Sequence, residues 1–265
     1  MLKLHFLTFI FIGSSALSAI AQDTTYYDLL WRSSSKDNAA YFRTAVKTND
    51  GWQVADHYLS GRVQMTGSYA DDSFHVKQGP FVFYDEKGIP NHRCGYLAGK
   101  LDGPDTTYYP NGHKQLVGRN KNDEMQGDWT GYYPNGRISG KVVYEKGKQV
   151  SGRFFHEDGS PNTTMTVFMR EAEYPGGVPQ FLRFLNKTLR YPDTAVNYEI
   201  QGTVVVSFKV SKEGKASEFK VIKAVDPSLD AEALRVLKMM PDWEPAITGG
   251  VYCDSYFKQP VVFHL

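Results

Sequence analysis

Tyr191-Pro192, Gly202-Thr-Val-Val-Val-Ser-Phe-Lys-Val210, Gly214, Leu229-Asp-Ala-Glu-Ala-Leu234, Pro241-Asp-Trp-Glu-Pro-Ala246 and Gln259-Pro-Val-Val-Phe263 follow one another through the last third of the chain. Alternation puts Val204, Val206, Phe208 and Val210 on one side of a strand over 203–210. Gly214 marks a hairpin turn, and 216–225 runs back with Phe219, Val221 and Ala224 as its apolar residues. Pro227 and Ser228 open a helix, with Ser228 as N-cap and Asp230 as a favourable first-turn acid. Leu229, Ala233, Val236, Leu237 and Met240 form its apolar face, and Pro241 stops it. A last strand over 251–263 closes the sheet.

Upstream, the composition shifts at Glu171-Ala-Glu-Tyr-Pro-Gly-Gly-Val178, where Pro175, Gly176, Gly177 and Pro179 break any strand and open another helix. Phe181, Leu182, Leu185 and Leu189 share one face of it, and it ends at Tyr191-Pro192 because the residue before proline is pushed out of the helical region. Helix–strand–strand–helix–strand predicts an α+β domain over 171–265, a three-stranded antiparallel sheet with both helices on one face. Met165-Thr-Val-Phe-Met169 is either a last strand of the preceding region or the connector.

The middle of the chain is periodic. Gly88, Gly112 and Gly136 are 24 residues apart, with Gly159 after 23, and Gly79, Gly103, Gly127 and Gly152 keep step. Tyr84, Tyr108, Tyr132 and Phe155 each fall four residues before a glycine of the first series. The units read GPFVFYDEKG, GPDTTYYPNG, GDWTGYYPNG and a shortened GRFFHEDG, with a divergent one near Tyr58-Leu-Ser-Gly-Arg62 and Met65-Thr-Gly-Ser-Tyr69. Each predicts a β-hairpin with positive φ at its turn glycine, unstable alone and stacked on its neighbours with aromatics in the seam. Pro110 and Pro134 fall in turns, where a missing N–H costs little. The fold class is therefore mostly β followed by α+β: an elongated hairpin ribbon over 56–164, then the compact domain. Residues 22–55 are read as a cap on the open array edge, with Ala39-Ala-Tyr-Phe-Arg-Thr-Ala-Val46 as either an entering strand or a helical turn.

The first 21 residues read as a signal peptide: Lys3 is the basic start, 4–17 is mostly apolar, and Ala19-Ile20-Ala21 precedes cleavage between Ala21 and Gln22. The alternative is a retained anchor helix in the inner membrane. A formal charge of +1 argues against nucleic acid as a partner, which would call for a basic stripe. Cys94 and Cys253 lie in different sequence neighbourhoods and are expected to be unpaired, largely buried thiols.

The ordered landmarks from Tyr191 to Phe263 resemble the C-terminal domain of TonB. The resemblance rests on the Tyr-Pro, the Gly-x-Val-x-Val-x-Phe-x-Val strand, the Leu-Asp-x-x-Ala helix, the Pro-x-Trp-x-Pro-Ala corner and the terminal Pro-x-x-Phe. It implies a last strand that pairs with an extended segment of an outer-membrane receptor or another envelope protein, through Tyr252, Asp254, Tyr256, Lys258 and Val262. The repeats resemble the antitoxin-like variant of MORN repeats, which implies an elongated β ribbon used for protein or lipid contact; the alternative is a spacer that holds the C-terminal domain at a distance. The sequence departs from an energy-transducing TonB: it has no proline-rich linker and no Ser-x-x-x-His anchor pattern.

Enzyme chemistry is not expected, and no cofactor or metal is expected either. His156-Glu-Asp158 reads as a solvated turn, and Asn120-Lys-Asn-Asp-Glu124 lacks the central glycine and terminal glutamate of a calcium loop. No His-Glu-x-x-His, Cys-x-x-Cys, Gly-x-Ser-x-Gly or P-loop pattern occurs. Trp243 reads as a core plug. The expected function is a periplasmic TonB-type protein-binding module linked to transmembrane transport. The alternatives are a scaffold whose repeats bind the partner while the C-terminal domain forms a homodimer through its last strand, or a transducer anchored in the membrane by an uncleaved leader.

Overall fold

The computed structural model describes residues 24–265, so the predicted leader, with Ala21 and Gln22, lies outside the described residues. Eleven strands pair in chain order into one antiparallel sheet. They are β1 (Thr25–Tyr27), β2 (Tyr41–Thr48), β3 (Gly51–Tyr58), β4 (Val63–Tyr69), β5 (Lys77–Tyr84) and β6 (Pro90–Leu97), followed by β7 (Lys100–Tyr108), β8 (Lys114–Lys121), β9 (Glu124–Tyr132), β10 (Ile138–Glu145) and β11 (Lys148–Phe154). The sheet therefore begins well before residue 56, and the stretch 39–46, left undecided by its periodicity, enters strand β2 at Tyr41. Successive hairpins do not stack face to face; they join side by side through strand pairing.

Each glycine series has its own mechanical job. Gly88, Gly112 and Gly136 sit in the turns with φ of 84°, 83° and 84°, the left-handed conformation that glycine adopts without a Cβ clash. Gly79, Gly103 and Gly127 fall where the β4–β5, β6–β7 and β8–β9 registers shift, so they are bulges that recur every 24 residues and bend the sheet. Two residues after a bulge glycine an aromatic lies over a glycine of the preceding strand. A Cβ on Gly67 would meet the Phe81 ring at 2.2 Å, and one on Gly118 would meet Trp129 at 2.1 Å. In the unit between them that position is Asp105, buried and bonded to His92 Nε2 at 2.8 Å and Asn120 Nδ2 at 2.6 Å, so the charge has partners where a ring is missing.

Tyrosine hydroxyls stitch the turns together. Tyr109 donates to the Tyr132 carbonyl at 2.7 Å, Tyr133 to Phe155 at 2.9 Å and Tyr58 to Tyr84 at 2.9 Å. The chain folds back on part of each end of the sheet. At β1 the chain doubles back and Ser34 N–H donates to the Tyr26 carbonyl; at β11 Asn162 N–H donates to Phe154 and Gln149 holds Thr166 and Phe168.

Beyond the ribbon come β12 (Met169–Arg170), α1 (Gly177–Thr188), α2 (Asp193–Asn197), β13 (Gly202–Val210), β14 (Ala216–Lys223), α3 (Pro227–Leu237), β15 (Ala246–Thr248), β16 (Val251–Cys253) and β17 (Ser255–Phe263). One sheet has the order β14-β13-β17 and a small second one has β12-β15-β16. Val204, Val206, Leu229, Ala233, Leu237 and Val261 form the centre of the core between sheet and helices. Burying the valine and leucine side chains contributes about 1.5–3 kcal/mol each.

Several sequence expectations shift here. The cap of α3 is Asp226, whose carboxylate accepts from Ser228 N–H at 2.9 Å, rather than Ser228 itself. That helix ends at Leu237, before Pro241. Leu182 is 52% exposed, because Phe181, Phe184 and Leu185 supply the buried face of α1. The short α2 was not foreseen. Trp243 packs among Tyr174, Phe181, Phe208 and Phe257 as a core residue.

Ribbon and domain meet where the β15–β16 turn presses on β9 and β10. A Cβ on Gly131 would meet the Gly249 carbonyl at 2.4 Å, and Ser139 Oγ donates to that same carbonyl at 2.6 Å. Cys94 and Cys253 are both free thiols, and burial pushes Cys94 up to about 11.

Gly118→Ala is expected to lower stability by about 1–3 kcal/mol, because the Trp129 ring cannot move off the strand without opening the ribbon core. Thermal unfolding of the variant checks this, and an unchanged midpoint would refute the packing account.

Candidate functional site

The β13–β17 ladder runs through nine consecutive residue pairs, from Gly202–Phe263 to Val210–Ser255, without a register shift. The other border of the sheet is different. The β13–β14 register shifts twice, between Val205 and Val206 and between Ser207 and Lys209, and Glu218 there has φ of 56°. Bulges blunt an edge by twisting its backbone out of line. Only β17 therefore offers this sheet a long, regular, open border.

Proline fixes which backbone groups point outward. Pro260 lies opposite Val205 and has no N–H to donate to it. In an antiparallel ladder alternate pairs aim their polar groups at each other and the rest aim them away, and proline is tolerated where its nitrogen faces off the sheet. Counting in steps of two from Pro260, the outward residues are Tyr256, Lys258 and Val262. Gln259 Nε2 donates to the Pro260 carbonyl at 2.8 Å, which fits a carbonyl directed away from β13. The border thus presents the N–H groups of Tyr256, Lys258 and Val262, and the carbonyls of those three and of Pro260. Their side chains stand on the sheet face away from the helices, with Tyr256 74% and Val262 62% exposed.

Three of the five residues singled out in the sequence, Tyr256, Lys258 and Val262, thus lie together on this border. Tyr252 and Asp254 do not. The expected single strand over 251–263 is two strands: Tyr252 is on β16, opposite Ile247 of β15, and Asp254 is the corner between β16 and β17. The break follows from the company Asp254 keeps. Its carboxylate accepts from Lys209 Nζ at 2.6 Å and from Lys212 N–H at 2.9 Å, so it ties the corner to the β13 end instead of facing a partner. The roles of Pro260 and Gln259 were not read from the sequence, although a proline inside an otherwise regular strand is the signal that could have found them. Among the described residues no group of three or more His, Cys, Asp or Glu side chains could hold a metal ion, and no helix is long and apolar enough to cross a membrane.

Residues 187–265 match the family model of the Gram-negative bacterial TonB protein C-terminal. That family is one of non-enzymatic protein-interaction domains of the Gram-negative envelope, and the match suggests a TonB-type protein-binding module at this end of the chain. No curated protein matches the chain. The matched region starts at the end of α1, yet Tyr174 and Phe181 share the core of the TonB-type domain, so its packing unit reaches further upstream.

The Lys209 bond holds the Asp254 carboxyl below its ordinary value, and the same bond raises Lys209. The depressed carboxyl contributes stability above its unfolded value of 3.8, lost as pH falls through the lower folded value. The raised lysine contributes below its unfolded value of 10.5, and that is lost as pH climbs through the folded one. The Lys212 amide resonance is therefore expected to titrate with a midpoint below 3.8, and Asp254→Asn to abolish the step. A midpoint at or above that value would show the corner is not clamped.

Proposed function

We propose that the protein is a periplasmic binding module whose β17 border takes up an extended segment of an outer-membrane receptor, or of another envelope protein, as an added strand. The observation that carries this is the unbroken nine-residue ladder with an open outer side, in a domain sheet whose other border is bulged. Main-chain hydrogen bonds then supply affinity without demanding a particular sequence, and alternate side chains supply selectivity. Tyr256, Lys258 and Val262 are the contact residues of this reading. Tyr252 lies on β16 and Asp254 acts as the corner clamp, so neither is among them.

Export by cleavage between Ala21 and Gln22 fits such a role. The ribbon, with its resemblance to MORN-type repeats, is on this reading a stiff mount that fixes the orientation of the TonB-type domain through the Gly131–Gly249 seam. A link to transmembrane transport follows if the partner is a receptor of the TonB-dependent kind.

Titration of the full chain with extended N-terminal peptides of outer-membrane receptors tests the proposal, with amide shifts expected along 255–263. Tyr256→Pro removes one outward donor without touching the β13 ladder, so it is expected to weaken binding roughly five- to tenfold relative to Tyr256→Ser. Its unfolding temperature should stay close to that of the serine variant. Phe257→Pro, which breaks an inward bond and empties a core position, is expected to cost about 3 kcal/mol or more of stability. Equal binding by the proline and serine variants at position 256 would remove β17 as the site.

A further inference from the structure

Val205 stands on the face of the TonB-type sheet away from the helices, yet it is only 1% exposed. The ribbon covers it. Asp28, Leu29, Leu30 and Asn38 of the loop between β1 and β2 line one side of a crevice of about 440 Å³, and Val205, Ile222 and Lys223 line the other. One strand further along, the Lys258 ammonium lies 5.9 Å from the centre of the Tyr41 ring, within cation–π range. Crossing the domain sheet from β14 through β13 to β17 therefore crosses the ribbon from its first loop to β2.

Both sheets advance by the same interval, about 4.8 Å per strand. The ribbon strand after β2 is β3, whose Tyr58 sits across from Tyr41 on the same face at 6.0 Å between ring centres. Beyond β17 the domain sheet has only its open border. We infer that a segment added to β17 lies beneath Tyr41 and Tyr58, so that the ribbon roofs the strand-addition site and selects what enters it. This rests on the reading of β17 given above.

The chemistry of the roof specifies the guest. Trp31 stacks on Tyr41 at 4.6 Å and nearly parallel, and the Tyr58 hydroxyl is already spent on the Tyr84 carbonyl. The roof therefore offers the Tyr58 ring, its hydroxyl already taken, beside a Tyr41 ring that Trp31 covers on one face. In an added strand every second side chain points to this face. The fitting partner is an extended segment with aromatic or branched apolar residues at alternate positions, which pair favourably with tyrosine rings.

A random dodecapeptide library displayed on phage, selected on the full chain and counter-selected on Tyr256→Pro, provides the probe. Selected peptides are expected to carry aromatic or branched apolar residues with a period of two. Their affinity should fall roughly three- to tenfold on Tyr58→Ser and on Tyr41→Ala, and hold on Tyr58→Phe, which keeps the ring. With the facing residue of the peptide changed to serine, wild type and variants should bind alike. Tyr41→Ala keeps the test sound should Tyr58→Ser disturb the end of the ribbon. Peptides that lose binding on Tyr256→Pro but ignore both tyrosine variants would overturn the roof and leave the β17 reading standing. A selection that yields no peptide sensitive to Tyr256→Pro would overturn both.

Discussion

Backbone rests directly on backbone where Gly249 meets Gly131, and the arrangement of the two halves depends on that contact. No side chain is long or soft enough to mediate such an approach; a methyl on either residue would lie within 3 Å of the other's main chain. Leu116 closes in from one side and Ser139 bonds the Gly249 carbonyl, so the β15–β16 turn is held at one place on the ribbon. At the other end of the ribbon the first loop and β2 lie against the far face of the domain sheet.

The management of strand borders gives the molecule its second logic. A long sheet exposes two edges, and here the chain folds back on part of each, at β1 and at the end of β11. Within the domain sheet, β14 is bent by Glu218 and its register shifts, and β17 alone keeps its repeat. Pro260 then tempers what β17 exposes, removing one donor from the middle of the border, while Gln259 occupies a carbonyl that a guest would otherwise find bare. Such partial blunting suits a strand that must stay available without pairing indiscriminately.

Much of this was legible in the residues. Alternation in 203–210 and the helical spacing of Leu229, Ala233 and Leu237 report local backbone geometry, and the structure keeps both. The glycine periods were visible too, but not their division of labour, since a turn glycine and a bulge glycine look the same in a string of letters. The split between β16 and β17 was hidden for a physical reason: it depends on Asp254 finding Lys209, a partner 45 positions away in sequence whose position only the fold supplies. Tyr256, Lys258 and Val262 could be grouped because they alternate. Which way their N–H groups point is settled by the missing donor of Pro260 and by its pairing with Val205. The approach of Tyr41 to Lys258 joins the two ends of the described chain and leaves no local trace in either.

The uninterrupted β13–β17 ladder also has a mechanical meaning. A tug along an added strand would run parallel to β17 and load all of its bonds to β13 together, in shear, so that none fails before the others share the force. The ribbon strands, joined hairpin to hairpin, would instead peel one after another if drawn from a chain end, each tyrosine rung giving way in turn. Resistance to force in this protein is thus anisotropic, greatest along the direction in which a guest on β17 would pull.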